Sequence, residues 1–337
     1  MSTHVYLLTG YLGSGKTTLL QNLLGSLREQ DGEVVVLMNE MGEEDIDGEQ
    51  LQGFGFPVKK MLDGCICCSI RGELTEGLKE ILASLKPDKI LIETTGVADP
   101  IDVIDGLTHP ELYDRLDLKG TISVIDASRF LDLNSRFQST GSLVKTIRNQ
   151  VRYADLLLVN KTDLTTPDIL QKVQAKLREL NPHAPLYETI RSEVDLNLLL
   201  SVKRITPPER EEQPQTVSVQ KSIGRLSPMD KIKQSLGIKT SQPSLYNSIE
   251  TFAYHFTAPV DGEKFEDFLY DLPKNVYRAK GYVLFHGKKE LISFQHTDNQ
   301  VLMFPFENFG PKMVAVFIGE GMDQEKIKQD LEKCYVE

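Results

Sequence analysis

Lys16 and Thr17 lie near the end of the run Gly10-Tyr11-Leu12-Gly13-Ser14-Gly15-Lys16-Thr17-Thr18, which fits the spacing G-x-x-x-x-G-K-[ST]. Gly10, Gly13 and Gly15 allow the backbone around Ser14 to turn its N–H groups inward on phosphate oxygens. A helix opening at the end of the run adds the positive end of its dipole. Lys16 is expected to reach the β- and γ-phosphates, the Thr17 hydroxyl to ligate Mg²⁺, and Thr18 to lie near the α-phosphate. The competing reading is an ordinary Gly-rich turn. It is the weaker one because a predicted strand precedes the run and a predicted helix follows it.

A second set is Asn160-Lys161-Thr162-Asp163, directly after the apolar run Leu156–Val159. A carboxylate at Asp163 can accept two hydrogen bonds from the N1–H and N2–H₂ edge of guanine, a donor pair that adenine lacks. Asp163 could equally cap a helix. A third set is Glu93-Thr94-Thr95-Gly96, at the end of Ile90–Ile92. Glu93 is placed to hold Mg²⁺ through a water. Gly96 lets a backbone N–H approach the γ-phosphate. Asp99 and Asp126 are alternative carboxylates at nearby strand ends and rank below Glu93.

The fourth set is Cys65-Ile66-Cys67-Cys68. Thiolate sulfur favours Zn²⁺ or Cu⁺. Four residues span at most about 11 Å when extended, so a curled loop can bring two or three sulfurs onto one ion. A redox pair or buried structural cysteines are the alternatives. Three thiolates leave a fourth position open, which suits transfer better than permanent structure.

The elements that must position these groups follow from periodicity. Val5–Leu8, Val34–Met38, Ile90–Ile92, Ile122–Ile125 and Leu156–Val159 read as buried parallel strands. Between them Leu20, Leu23, Leu24 and Leu27 fall on one helical face, as do Leu74, Leu78, Ile81, Leu82 and Leu85, and Leu170, Val173 and Leu177. The alternation predicts an α/β fold, a P-loop NTPase with a mostly parallel sheet covered by helices on both faces. This domain is expected over residues 1–205. Residues 206–245, rich in Pro, Ser, Gln and charge, read as a linker. From Lys203 to Lys239 eight Lys or Arg stand against four Asp or Glu. Residues 246–337 read as a smaller α+β C-terminal domain. There Phe252, Tyr254 and Phe256 alternate, and Val283–Phe285, Leu291–Phe294, Val301–Phe304 and Val314–Ile318 form strands. Asp261 and Asp323 cap helices carrying Phe265, Phe268 and Leu269, and Ile327 and Leu331.

Composition narrows the function further. The 337 residues carry 38 Lys plus Arg against 49 Asp plus Glu, a net charge of −11. That balance argues against nucleic acid or an anionic membrane as the main partner. No apolar run reaches the 18 or more residues of a membrane span, and the first residues lack the features of a signal peptide. A cytoplasmic protein is expected. Three of the four cysteines lie within four residues, which reads as metal binding or redox chemistry in a reducing compartment.

Taken in this order, the four sets resemble the CobW-like metallochaperone GTPases over nearly the whole chain. The resemblance includes Gly64–Cys68, Glu93–Pro100, Gln150-Val151-Arg152-Tyr153-Ala154-Asp155 leading into Asn160–Asp163, and Arg278-Ala279-Lys280-Gly281 in the second domain. It implies GTP hydrolysis coupled to delivery of a transition metal, most often Zn²⁺, with Co²⁺ or Ni²⁺ in some branches. It implies Cys65, Cys67 and Cys68 as metal ligands, with Glu40 near the metal or the γ-phosphate and His109 as counterpart of an implicated histidine. The recipient is expected to be a client apoprotein that requires metal, and a nucleotide-dependent homodimer is possible within this class. The chain departs from the family in two respects. Its six His are scattered, with none in the linker, so metal storage is not expected. Only nine residues precede Gly10, so the N-terminal docking extension of some relatives is not expected.

The expected mechanism has the γ-phosphate ordering the loop that carries the cysteines and hydrolysis relaxing it. A coupling of about 1–3 kcal/mol would change metal affinity roughly 5–150-fold. Hydrolysis is expected to be slow alone, since no catalytic Arg or Gln is evident in the first domain. The alternatives are a regulatory GTPase with a zinc- or redox-sensing cysteine cluster, and a small-molecule P-loop kinase. The kinase leaves Asn160–Asp163 without a role.

Overall fold

The computed structural model describes residues 2–27, 32–39, 56–61, 69–135, 139–205, 249–297, 300–306 and 312–336. Cys65, Cys67, Cys68, Glu40 and the segment 206–248 lie outside the described residues.

The first unit alternates strand and helix: β1 Thr3–Thr9, α1 Lys16–Leu27, β2 Val34–Asn39, β3 Val58–Met61, α2 Ser69–Ser84, β4 Lys89–Glu93 and α3 Pro100–Leu107. It continues with β5 Leu116–Asp126, α4 Phe130–Leu133, α5 Gly141–Arg152, β6 Leu156–Asn160, α6 Pro167–Leu180, β7 Leu186–Glu188 and α7 Leu196–Leu200. All seven strands are parallel, in the order β3-β2-β4-β1-β5-β6-β7. The central strands are buried on both faces, which explains their unbroken apolar runs. Val5 and Leu7 of β1 pack with Leu74, Leu78 and Ile104 from α2 and α3. Tyr6 and Leu8 pack on the other face with Leu19, Leu20 and Leu23 of α1.

Several elements were hidden from apolar periodicity. β5 starts at Leu116, where Asp117 and Lys119 break the pattern, and not at Ile122. α5 buries Val144, Ile147 and Val151, but its stripe also holds the buried polar residues Asn149 and Gln150. Helix α6 is capped by Thr166, whose hydroxyl accepts from Ile169 N, with Pro167 in the first turn. Asp163 therefore does not cap it.

The second unit is an antiparallel sheet in the order β11-β10-β9-β12-β8, with β8 Glu250–His255, β9 Val276–Leu284, β10 Leu291–Thr297, β11 Gln300–Phe306 and β12 Val314–Gly319. Helices α8 Gly262–Tyr270 and α9 Gln324–Glu332 close one face around Phe265, Phe294 and Phe317. Asp261 and Asp323 cap them as expected. Cys334 lies in this core, where burial pushes its thiol up to about 11, so it packs and does not react.

Strand β9 begins seven residues before the expected Val283. Its first half alternates Arg278 and Lys280 with Ala279 because its two faces meet different surroundings. Ala279 enters the helix-covered core. Arg278 pairs with Asp102 at 3.2 Å and Lys280 with the buried Asp105 at 2.6 Å, both on α3. Tyr282 Oη donates to Glu111 Oε1 at 3.1 Å. Apolar contact joins the units as well, since Ile249 and Ile318 enter the cluster around α2 and α3. Among the described residues no helix is long and apolar enough to cross a membrane.

Candidate functional site

The strand order reverses around β1, so the crevice at the carboxyl ends of β1, β4 and β5 is where an open α/β sheet binds its ligand. The loop from Gly10 to Gly15 fills that crevice. Gly10, Gly13 and Gly15 have φ of 139°, 72° and 110°, values that L side chains rarely adopt. A Cβ on Gly15 would come within 2.4 Å of Asn160 Nδ2. Beside the loop lies a cleft of about 940 Å³, lined by Lys16, Thr17, Thr18, Glu93, Gly96, Asn160, Lys161 and Asp163 among others.

Lys16 opens α1 and is 6% exposed. Its Nζ donates to Tyr11 O at 3.3 Å. Burial lowers its pKa, and the carboxylate of Glu93 opposes that shift. Thr17 Oγ1 donates to Glu93 Oε1 at 2.8 Å. A hydroxyl and a carboxylate facing one another form an oxygen donor pair suited to a hard divalent cation. The buried Ser14 Oγ has no hydrogen-bond partner among the described residues, and Gly96 approaches so closely that a Cβ would stand 2.3 Å from Leu12 N. A glycine cradle, an orphaned hydroxyl and an oxygen pair together fit a nucleotide phosphate with Mg²⁺.

Asn160 and Lys161 do more than flank the cleft. Asn160 Nδ2 donates to Ser14 O at 2.8 Å, and Lys161 Nζ donates to Gly13 O at 2.6 Å. Ser192 Oγ donates to Gly15 O at 2.9 Å. Three successive carbonyls of the loop are thus held from outside, which favours N–H groups turned inward. Asp163 stands exposed in the 3₁₀ turn Thr162–Leu164 at the cleft wall, free of a capping role.

The alternative carboxylates have other work. Asp126 Oδ2 accepts from Lys161 Nζ at 2.8 Å, and Oδ1 accepts from Ser128 N at 3.0 Å. Burial acts to raise its pKa, but the bonds from Lys161 and Ser128 hold the carboxyl below the usual range. Asp99 caps α3 through Ile101 N and accepts from Asn149 Nδ2 at 2.7 Å. Neither lines the cleft, and of the three carboxylates only Glu93 does.

Sequence reasoning missed Arg191 and Ser192. Both have left-handed backbone, with φ of 54° and 55°. Ser192 N donates to Asn160 Oδ1 at 2.8 Å, and Asn22 Nδ2 donates to both carbonyls at 3.2 Å. These bonds stabilise the strained turn and set Arg191 at the cleft wall. No residue pattern marks this turn, because its partners Asn160 and Asn22 lie 32 and about 170 residues away in sequence.

Among the described residues no three His, Cys, Asp or Glu side chains gather to hold a metal. The described chain reaches the cysteine segment from both sides, at Met61 ending β3 and at Ser69 opening α2. Helix α2 carries Glu76 into a cleft of about 370 Å³ between the two units, which His109 also lines. Burial, aided by Lys280, pushes the His109 pKa down to about 4. Its imidazole is therefore neutral at physiological pH, the form that binds metals.

The parallel sheet, the glycine cradle and the Lys16–Thr17–Glu93 cluster define a P-loop NTPase. Residues 4–188 match the CobW/HypB/UreG nucleotide-binding domain, and residues 249–335 match the cobalamin synthesis protein cobW C-terminal domain. The chain belongs to the CobW/HypB/UreG family. It is 29% identical to the zinc chaperone YjiA of Escherichia coli over 338 residues, 96% of either chain. It is 35% identical to the zinc chaperone YeiR of the same organism over 197 residues, 58% of either chain. The crystal structure of Zn(II)-bound YjiA GTPase from E. coli aligns over the whole of both chains at 24% identity with a TM-score of 0.45.

Proposed function

We propose that this protein is a GTP-dependent metallochaperone that binds Zn²⁺ at Cys65, Cys67 and Cys68 and releases it to a metal-requiring client apoprotein on GTP hydrolysis. The observation that carries the reading is the chain connection. The cysteine segment runs from β3 into α2, while β2, which ends at Asn39 just before Glu40, contributes Met38 to the nucleotide cleft. A γ-phosphate bound beside Gly96 acts on the neighbours of the metal segment without a long pathway. The full-length likeness to a zinc chaperone supports zinc over Co²⁺ or Ni²⁺.

In this reading the N–H groups of Gly13, Ser14 and Gly15, Lys16 and Thr18 bind the phosphates, and Asp163 reads guanine. Thr17 and Glu93 would hold Mg²⁺, which would neutralise phosphate charge when bound. Gly96 senses the γ-phosphate. Asn160, Lys161 and Ser192 keep the loop carbonyls turned outward. Glu40 and His109 are the remaining candidates for the metal's shell, beside the three thiolates. The thiolates must be deprotonated and the imidazole neutral for the ion to bind.

The test is release. Protein loaded with Zn²⁺ is given GTP and Mg²⁺ in the presence of a fluorescent zinc chelator. Zn²⁺ should appear in proportion to GTP hydrolysed, and a non-hydrolysable analogue should release none. Release that ignores hydrolysis would favour the regulatory switch with a static cysteine site.

Closure by a second copy belongs to the same reading. Leu12 and Leu164, 69% and 63% exposed, stand with Val97 at the cleft mouth, an apolar rim for a protein partner. Sedimentation should show a dimer with the GTP analogue and a monomer with GDP. A monomer in both states would exclude dimerisation from the cycle.

A further inference from the structure

Gln150 on α5 is 2% exposed, and its side-chain amide is committed to one loop. Nε2 donates to Gly96 O at 3.1 Å and to Ala98 O at 3.1 Å. The adjacent Asn149 holds the far end of that loop through Asp99. A buried amide of this kind is costly unless both hydrogens are satisfied, so its geometry is narrowly fixed.

The held loop is a wall of the nucleotide cleft, to which Gly96 and Val97 both contribute. A trans peptide is planar, with carbonyl and N–H on opposite sides. Drawing Gly96 O toward α5 therefore turns the Val97 N–H away from Gln150. On its other side Gly96 is packed against the backbone of Leu12 in the phosphate loop. The Gly96–Val97 peptide is thus held on one side by α5 and on the other by the phosphate loop.

We propose that Gln150 is a positioning residue for reading the γ-phosphate: it fixes the Gly96–Val97 peptide so that the loop distinguishes GTP from GDP. The assignment rests on the GTPase reading above. Gln150 touches no nucleotide itself. It acts through the direction of backbone N–H groups, which stabilise a terminal phosphate only when they are already aimed at it.

The test uses the full-length chain with Mg²⁺, titrated with a fluorescent GDP and with a non-hydrolysable GTP analogue. Gln150→Met keeps the volume and removes both donors. The expected result is GTP-analogue affinity lowered roughly tenfold, the order of one or two lost hydrogen bonds, with GDP affinity unchanged. A folded variant with the wild-type ratio of the two affinities overturns the assignment. So does equal weakening of both, which would make Gln150 a structural tie only. If the Met variant does not fold, Gln150→Asn, which keeps the amide but draws it back by one methylene, carries the same test. A wild-type protein that binds neither nucleotide would instead sink the GTPase reading.

Discussion

Lys16→Ala lowers GTP turnover on the order of 10³-fold, the scale seen when a charge aimed at a developing transition state is removed. The side chain is nearly buried at the opening of α1, so its ammonium cannot be replaced by bulk water or a mobile surface lysine. Its bond to Tyr11 O, at 3.3 Å, is long, and the ammonium can exchange it for phosphate oxygens as the nucleotide enters. Burial lowers its pKa and the Glu93 carboxylate beside it opposes that shift, so the carboxylate favours the charged form in the site. Alanine is a strong helix former, so α1 itself should persist. Circular dichroism confirms folding, and phosphate release measures turnover. A folded variant with turnover within a few-fold of wild type would remove the phosphate site from this loop.

Asp163→Asn is expected to weaken GTP binding on the order of 10²-fold and to shift preference toward XTP. The carboxylate presents two acceptors to the two donors of guanine. Asparagine turns one acceptor into a donor, so N–H meets N–H₂ and a desolvated pair is left unsatisfied. Xanthine carries an oxygen in place of the amino group and accepts from the new amide. Asp163 is exposed and caps no helix, so the fold is not at risk. Titration with both nucleotides decides the matter. Unchanged GTP affinity would reduce Asp163 to a turn residue.

Phosphate-site residues were legible in sequence because their chemistry is local: a strand, a glycine loop and a helix follow one another without interruption. The parallel sheet was legible because its central strands are buried on both faces. The supporting bonds were not. Ser192, Gln150 and Asp126 reach the site through hydrogen bonds to segments between 32 and 177 residues distant, and their residue types are unremarkable. Arg278 and Lys280 were visible as a signature but not as a contact. Their charge obscured β9, and only the tertiary structure brings them to Asp102 and Asp105. The cysteine site is the reverse case. Cys65, Cys67 and Cys68 are plain in the sequence and lie outside the described residues, so the role proposed for them rests on the chemistry of thiolates.

Nucleotide control of zinc affinity is the central claim, and a competitive Zn²⁺ titration of reduced protein tests it most directly. The titration is run with a GTP analogue plus Mg²⁺, again with GDP plus Mg²⁺, and on the triple variant of Cys65, Cys67 and Cys68 to Ala. Affinity should be roughly 5–150-fold tighter in the GTP state, the range of a coupling of about 1–3 kcal/mol, and should vanish in the variant. Equal affinity in the two nucleotide states would contradict coupled transfer and leave the cysteines as a static or redox site on a GTPase.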